Sequence, residues 1–218
     1  MTVWPNQVHG AVMLVPVSSD DTWPRGWSPE QEAQLQTGPS DLALSWLQTV
    51  NCDHPYAWAL LTPDFRTTLA QQWIIANPAV MDLPIVAGMS RDDLAQSLSA
   101  ESPTSELFPQ LLAVSCRTLR TANRNADLKM FVPSHRPRPI GPALELVLLY
   151  HSNDLTLTTE DTLVFEPGHT ARMLAVLFAD TPAGWRVAGL GSLPRPGWPP
   201  TFDEVVTTDD SFSRYLDT

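Results

Sequence analysis

The sequence predicts an α+β protein in which N-terminal helices pack on a C-terminal curved antiparallel sheet. Three observations carry this. Between residues 40 and 122 apolar side chains recur at helical spacing behind recognisable caps. From residue 144 onward short runs of strand formers alternate with turn residues. The connections between those runs are tight enough to imply antiparallel neighbours.

Residues 1–39 hold Pro5, Pro16, Pro24, Pro29 and Pro39 with Trp4, Trp23 and Trp27. This mixture breaks helices yet carries aromatic surface that needs burial, so it reads as an extended arm. Residues 9–17 can still form one edge strand, where Pro16 is tolerated. The first helix begins at Ser40 as N-cap, with Asp41 in its first turn and Leu44, Trp46, Leu47 and Val50 at helical spacing. Pro55 opens a short second helix through Trp58 and Leu61. Thr62, Pro63 and Asp64 supply an N-cap, a proline at N1 and an acid in the first turn of a third helix. Its stripe is Phe65, Leu69, Trp73 and Ile74, and Asn77 before Pro78 stops it at Ala76. Ser90 and Asp93 approximate a capping box before Leu94 and Leu98. Residues 106–122 form the last helix, with Pro109 in its first turn and arginines at 117, 120 and 124 placed to complement the helix dipole.

After Gly141 and Pro142, residues 144–150 form a nearly continuous apolar run that reads as a buried strand. Residues 162–166, 171–179 and 185–190 follow as further strands, separated by turn formers. Prolines then return at 194, 196, 199 and 200 around Trp198, and the end, with Asp203, Glu204, Asp209 and Asp210, reads as an acidic tail. The chain therefore divides into an arm (1–39), one α+β domain (40–192) and a tail (193–218), a size suited to one core.

Twenty-four acidic against thirteen basic side chains give a formal charge of −11, which repels phosphate backbones and anionic membranes. Nucleic acid and membrane are not expected as partners. The one basic cluster, residues 129–138, is interrupted by Pro133 and Pro137 and reads as a solvated loop, with an anion-binding loop as the alternative. Cys52 and Cys116 are read as two buried thiols outside any metal-ligand spacing, and no metal or cofactor is expected. The opening stretch lacks a basic region before its apolar residues 11–17, which Pro16 breaks, so it is not read as a secretion signal. No run approaches a membrane span. A cytoplasmic setting follows by elimination.

The Trp46–Leu47 helix, the turn Leu61, Thr62, Pro63, Asp64, Phe65 and the closing strand Gly184, Trp185, Arg186, Val187, Ala188, Gly189, Leu190 together resemble the nuclear transport factor 2, or SnoaL-like, superfamily over residues 40–192. That resemblance implies a cone-like half-barrel whose mouth holds a small apolar ligand, an acid/base pair or a partner protein. Enzymatic members place aspartate, histidine, tyrosine or arginine in the cone. The helices at 90–122 and both extensions depart from the compact members, and no residue carries over from a family motif.

Candidates are weighed on chemistry alone. Tyr150 and His151 end an apolar strand and face opposite sides by alternation, which leaves one of them able to enter a pocket. The structural reading puts His151 near water and buries the Tyr150 ring. Arg172 shares a face with Leu174, Val176 and Phe178, as a rim cation or a carboxylate anchor. Asp53 and His54 are adjacent but lack further ligands. Trp46, Trp73, Tyr150 and Arg172 are the candidate ligand-pocket residues. Trp4, Trp23, Trp27 and Trp198, in proline-rich surroundings, are the candidate partner-binding residues. The leading expectation is a non-catalytic module for protein association, including self-association, possessing a small-ligand pocket. The alternative is a cofactor-independent isomerase, cyclase or hydrolase acting on a hydrophobic small molecule through Tyr150, His151 or Arg172.

Overall fold

Helix α1 (Pro39–Asn51) starts two residues earlier than its sequence predicts. Gly38, extended at φ −166°, is the N-cap, and Pro39 takes N1 with its ring buried. The fixed φ of proline suits that position and its missing N–H removes an orphan donor, so Ser40 is drawn inside the helix. Asn51 ends α1, and Asp53, in the left-handed region at φ 52°, reverses the chain. Pro55 then caps the single-turn helix α2 (Tyr56–Ala59).

Helix α3 (Pro63–Ala76) forms as the sequence specifies: Thr62 Oγ1 accepts from Phe65 N, Pro63 opens the helix and Asn77 closes it. Two 3-10 turns (Pro78–Asp82 and Pro84–Val86) lead to α4 (Arg91–Ser99). Its capping box is complete. Ser90 Oγ accepts from Asp93 N at 3.1 Å and Asp93 Oδ2 accepts from Ser90 N at 3.0 Å. Helix α5 (Phe108–Ala122) follows.

The computed structural model describes residues 12–13, 38–122, 128–133, 137–157, 162–164 and 173–205. Of the arm, β1 (Val12–Met13) is described, within the predicted edge strand. The residues assigned to 129–138 as a loop instead supply the edge of the main sheet, β2 (Phe131–Pro133) and β3 (Arg138–Gly141). Both pair with the same side of β4 (Leu144–His151), β2 along its end and β3 along its start. Pro133 and Pro139 fit because an edge strand need not donate on both sides. A 3-10 turn (Ser152–Asp154) and the short strands β5 (Thr156–Leu157) and β6 (Thr162–Val164) come next, β6 standing between β1 and β5.

β7 (Met173–Thr181) pairs antiparallel with β4 over seven residue pairs, and β8 (Gly184–Leu190) closes the order β2-β4-β7-β8. The helical layer is stitched to the free edge of β8. Between α2 and α3 the chain runs extended, Val187 N donates to Leu60 O and Thr62 N donates to Val187 O, each at 2.8 Å. This covers the edge that would otherwise be left unpaired.

The segment read as an acidic tail is structured in its first part. β9 (Ser192–Arg195) and β10 (Thr201–Glu204) form an antiparallel ribbon, so the boundary placed at 193 runs through a strand. At the corner into β9, a Cβ on Gly189 would stand 2.0 Å from Ser192 O, which explains why glycine is needed there. The ribbon's loop docks on the helices: Gly197 N donates to Gln71 Oε1 at 2.9 Å and Trp198 Nε1 donates to Asp92 Oδ1.

Both faces of the sheet are covered, as the unbroken apolar run of β4 predicts. Val147, Leu149, Leu174, Val176, Phe178 and Val187 face the helices in one continuous core with Trp46, Leu47, Trp58 and Phe65. Leu146, Leu148, Tyr150, Ala175, Leu177 and Ala188 bury the opposite face, with Leu155 from the turn, Leu193 from β9 and Val205 packed against them. Among the described residues no helix is long and apolar enough to cross a membrane.

Candidate functional site

A cavity lies among the helices. α1, α2, α3 and α5 surround about 310 Å³, at the lower end of the range typical of small-molecule sites. Buried Trp46 and Val50 from α1, Trp58 from α2, Phe65 and Trp73 from α3, and Cys116 and Leu119 from α5 form its walls. Exposed Gln72, Ala76, Asn77, Val114 and Thr118 stand at its open side. These positions follow from helical spacing: Phe65, Leu69, Trp73 and Ala76 descend one face of α3, and Leu112, Cys116 and Leu119 one face of α5.

Among the described residues no charged side chain lines the cavity. Its polar groups are few and partly committed. Thr118 Oγ1 donates to Val114 O, and Asn77 Nδ2 donates to Trp73 O. The Trp58 indole N–H donates to Ala100 O at 3.0 Å. Trp46 Nε1 is buried and inaccessible, with no hydrogen-bond partner among the described residues. Trp46 and Trp58 therefore meet the cavity through ring carbons.

Beside the cavity, Arg120 of α5 latches the end of α1. Its Nη1 donates to Val50 O and to Asp53 Oδ1, both at 2.8 Å, and its Nη2 donates to Asp53 Oδ2 at 3.3 Å. The cation expected to serve the dipole of its own helix thus serves the carbonyl end of another. The hydrogen bonds that Arg120 donates to Asp53 hold its guanidinium above its usual pKa. Burial pushes the Cys116 thiol up to about 12; the Asp53 charge adds to this and the Arg120 charge partly offsets it. Cys52 is exposed, contrary to its expected burial, because the short turn after α1 points it outward.

The predicted site residues separate. Trp46 and Trp73 line the cavity, but Tyr150 does not: it faces the opposite side of the sheet from the helices. Burial raises its pKa. His151 is also buried rather than near water, its exposure only 3%. β2, unrecognised in the sequence, covers it. Phe131 packs edge-on to the imidazole with centroids 5.3 Å apart, and Nδ1 accepts from Asn153 N. Alternation sends the two side chains to opposite faces, so Tyr150 and His151 do not converge. Arg172, Trp4, Trp23 and Trp27 lie outside the described residues. Trp198, expected to bind a partner, is held by Asp92 of its own chain, though 38% of it remains exposed. Asp53 and His54 also diverge: the first pairs with Arg120, and Nδ1 of the second accepts from Tyr56 N. Among the described residues no group of three acidic, histidine or cysteine side chains is placed to hold a metal.

Sequence reasoning missed Trp58, Phe65, Cys116 and Leu119 as cavity residues. Their signal was present as the apolar stripes of three helices, but a stripe that lines a cavity has the same spacing as one that fills a core. Comparison with protein-family models, with curated proteins and with solved structures found no match to this chain.

Proposed function

We propose that the chain is a non-catalytic binding module that takes a small apolar molecule into the cavity between α1, α3 and α5. The observation that carries this is an opening of about 310 Å³ with four aromatic rings and no charged side chain in its lining. Water gains few hydrogen bonds there, so an apolar occupant that displaces it is favoured. At roughly 30 Å³ per water-sized unit, the space suits a molecule of about ten such units. The site differs from the one implied by the SnoaL-like resemblance, which puts the ligand in the mouth of the sheet.

Titration with butylbenzene tests the reading. The indole N–H resonances of Trp46, Trp58 and Trp73 should move while that of Trp198 stays, and the melting temperature should rise with ligand concentration. Ser115→Phe, which fills the cavity from α5, should abolish both effects. Unmoved cavity resonances, or binding that survives Ser115→Phe, overturn the proposal.

Association with a protein partner or a second copy is a second reading. Ile75, Leu83 and Ile85, at the end of α3 and in the turns after it, are each at least 40% exposed. Light scattering of the full chain tests it: a strict monomer with no change on Leu83→Asp and Ile85→Asp removes self-association.

A further inference from the structure

The lining of the cavity says more about its occupant than that it is apolar. Trp46, Trp58, Phe65 and Trp73 converge from three successive helices on one space. The indole N–H groups of Trp46 and Trp58, the positive ends of those rings, are withdrawn from it: one is inaccessible and the other is spent on Ala100 O. Those two rings present carbon and π surface to it, beside the few polar groups of Gln72, Asn77, Ser115 and Thr118. An aromatic face carries negative quadrupolar potential, and several faces around one site attract a weakly hydrated cation.

The surrounding charge acts in the same direction. Among the described residues no cationic side chain lines the cavity, and Arg120, next to it, is paired with Asp53. At longer range the formal charge of −11 draws cations and repels anions.

We propose that the cavity selects a small apolar cation, a quaternary or tertiary ammonium with aromatic or aliphatic arms, held by the rings of Trp46, Trp58, Phe65 and Trp73. This rests on the cavity being a ligand site and adds the sign of the ligand's charge. A primary ammonium is a poorer occupant, because it keeps strong hydrogen bonds to water that the cavity's few polar groups cannot replace. A carboxylate or sulfonate is disfavoured by both the ring potential and the net charge.

The test compares phenyltrimethylammonium with tert-butylbenzene, which has the same shape and no charge, and with benzenesulfonate, by calorimetry on the full chain. The cation should bind tighter than its neutral isostere by about tenfold or more, and the sulfonate should not bind. Trp73→Leu should weaken the cation several-fold more than the neutral isostere, which loses only apolar contact. Trp73→Phe, which keeps a ring, should fall between them, and serves if the leucine variant does not fold. Added salt should weaken the cation and leave the hydrocarbon unaffected. If the hydrocarbon binds as tightly as the cation, or Trp73→Leu weakens the two equally, the charge selection is wrong and the apolar site stands. If neither binds, both readings fall.

Discussion

On the sheet side of the core, Val147, Leu149, Val176 and Phe178 leave no surface open, whereas on the helix side four aromatic rings stand around about 310 Å³ of space. The two regions belong to one continuous core and differ in how their backbones present side chains. Strands hold residues at fixed cross-strand spacings, and branched or leucine-sized side chains at those spacings tile the surface. Helices meet at angles set by their loops, and rigid rings carried on short helices cannot deform to fill what is left. An open space thus arises where local packing is least able to close on itself.

Truncating a residue on each side would sharpen or break this contrast. Phe178→Ala, in the filled region, should cost about 3–5 kcal/mol in urea unfolding, because its neighbours cannot collapse into the space. Leu119→Ala, on the cavity wall, should cost about 2 kcal/mol, since one side of Leu119 already lacks partners. Equal losses would show that the cavity closes in solution.

Smaller effects test what holds the helical layer in place. Thr62→Ala should lose about 1 kcal/mol, read as a lower denaturation midpoint, by removing the cap that starts α3 where the chain leaves β8. Asp93→Asn should be destabilising at neutral pH by an amount that vanishes in acid. The hydrogen bonds from Ser90 lower the Asp93 pKa in the folded protein, so the carboxylate's contribution is present above the ordinary aspartate value and is lost as pH falls through the lower, folded one. Unfolding both proteins at neutral pH and again at about pH 2 checks the sign. A thiol titration of the native protein should find Cys52 reactive and Cys116 silent until denaturant is added, because the buried thiol at about 12 supplies almost no thiolate.

Local chemistry made several elements readable. The α3 start at Thr62, Pro63 and Asp64, the capping box of Ser90 and Asp93, and the buried run of β4 each declare themselves within a few residues. Less visible were β2, β3, β9 and β10, since Pro133, Pro139 and Pro194 read as breakers when no partner strand is known. Their tolerance depends on which edge they occupy. His151 was misplaced for a related reason: its burial comes from Phe131, twenty positions earlier, on a strand the sequence hid among basic residues and prolines.

The order of the helices, the caps that start α3 and α4 and the buried run of β4 follow from the sequence alone, because turn chemistry and apolar periodicity act over a few neighbouring residues. Only the tertiary structure decided that the aromatic stripes of α1 and α3 enclose a space, that Phe131 buries His151, and that Arg120 crosses to the end of α1. Those outcomes depend on the angles at which whole elements meet, and an angle between helices is set by every contact along both of them.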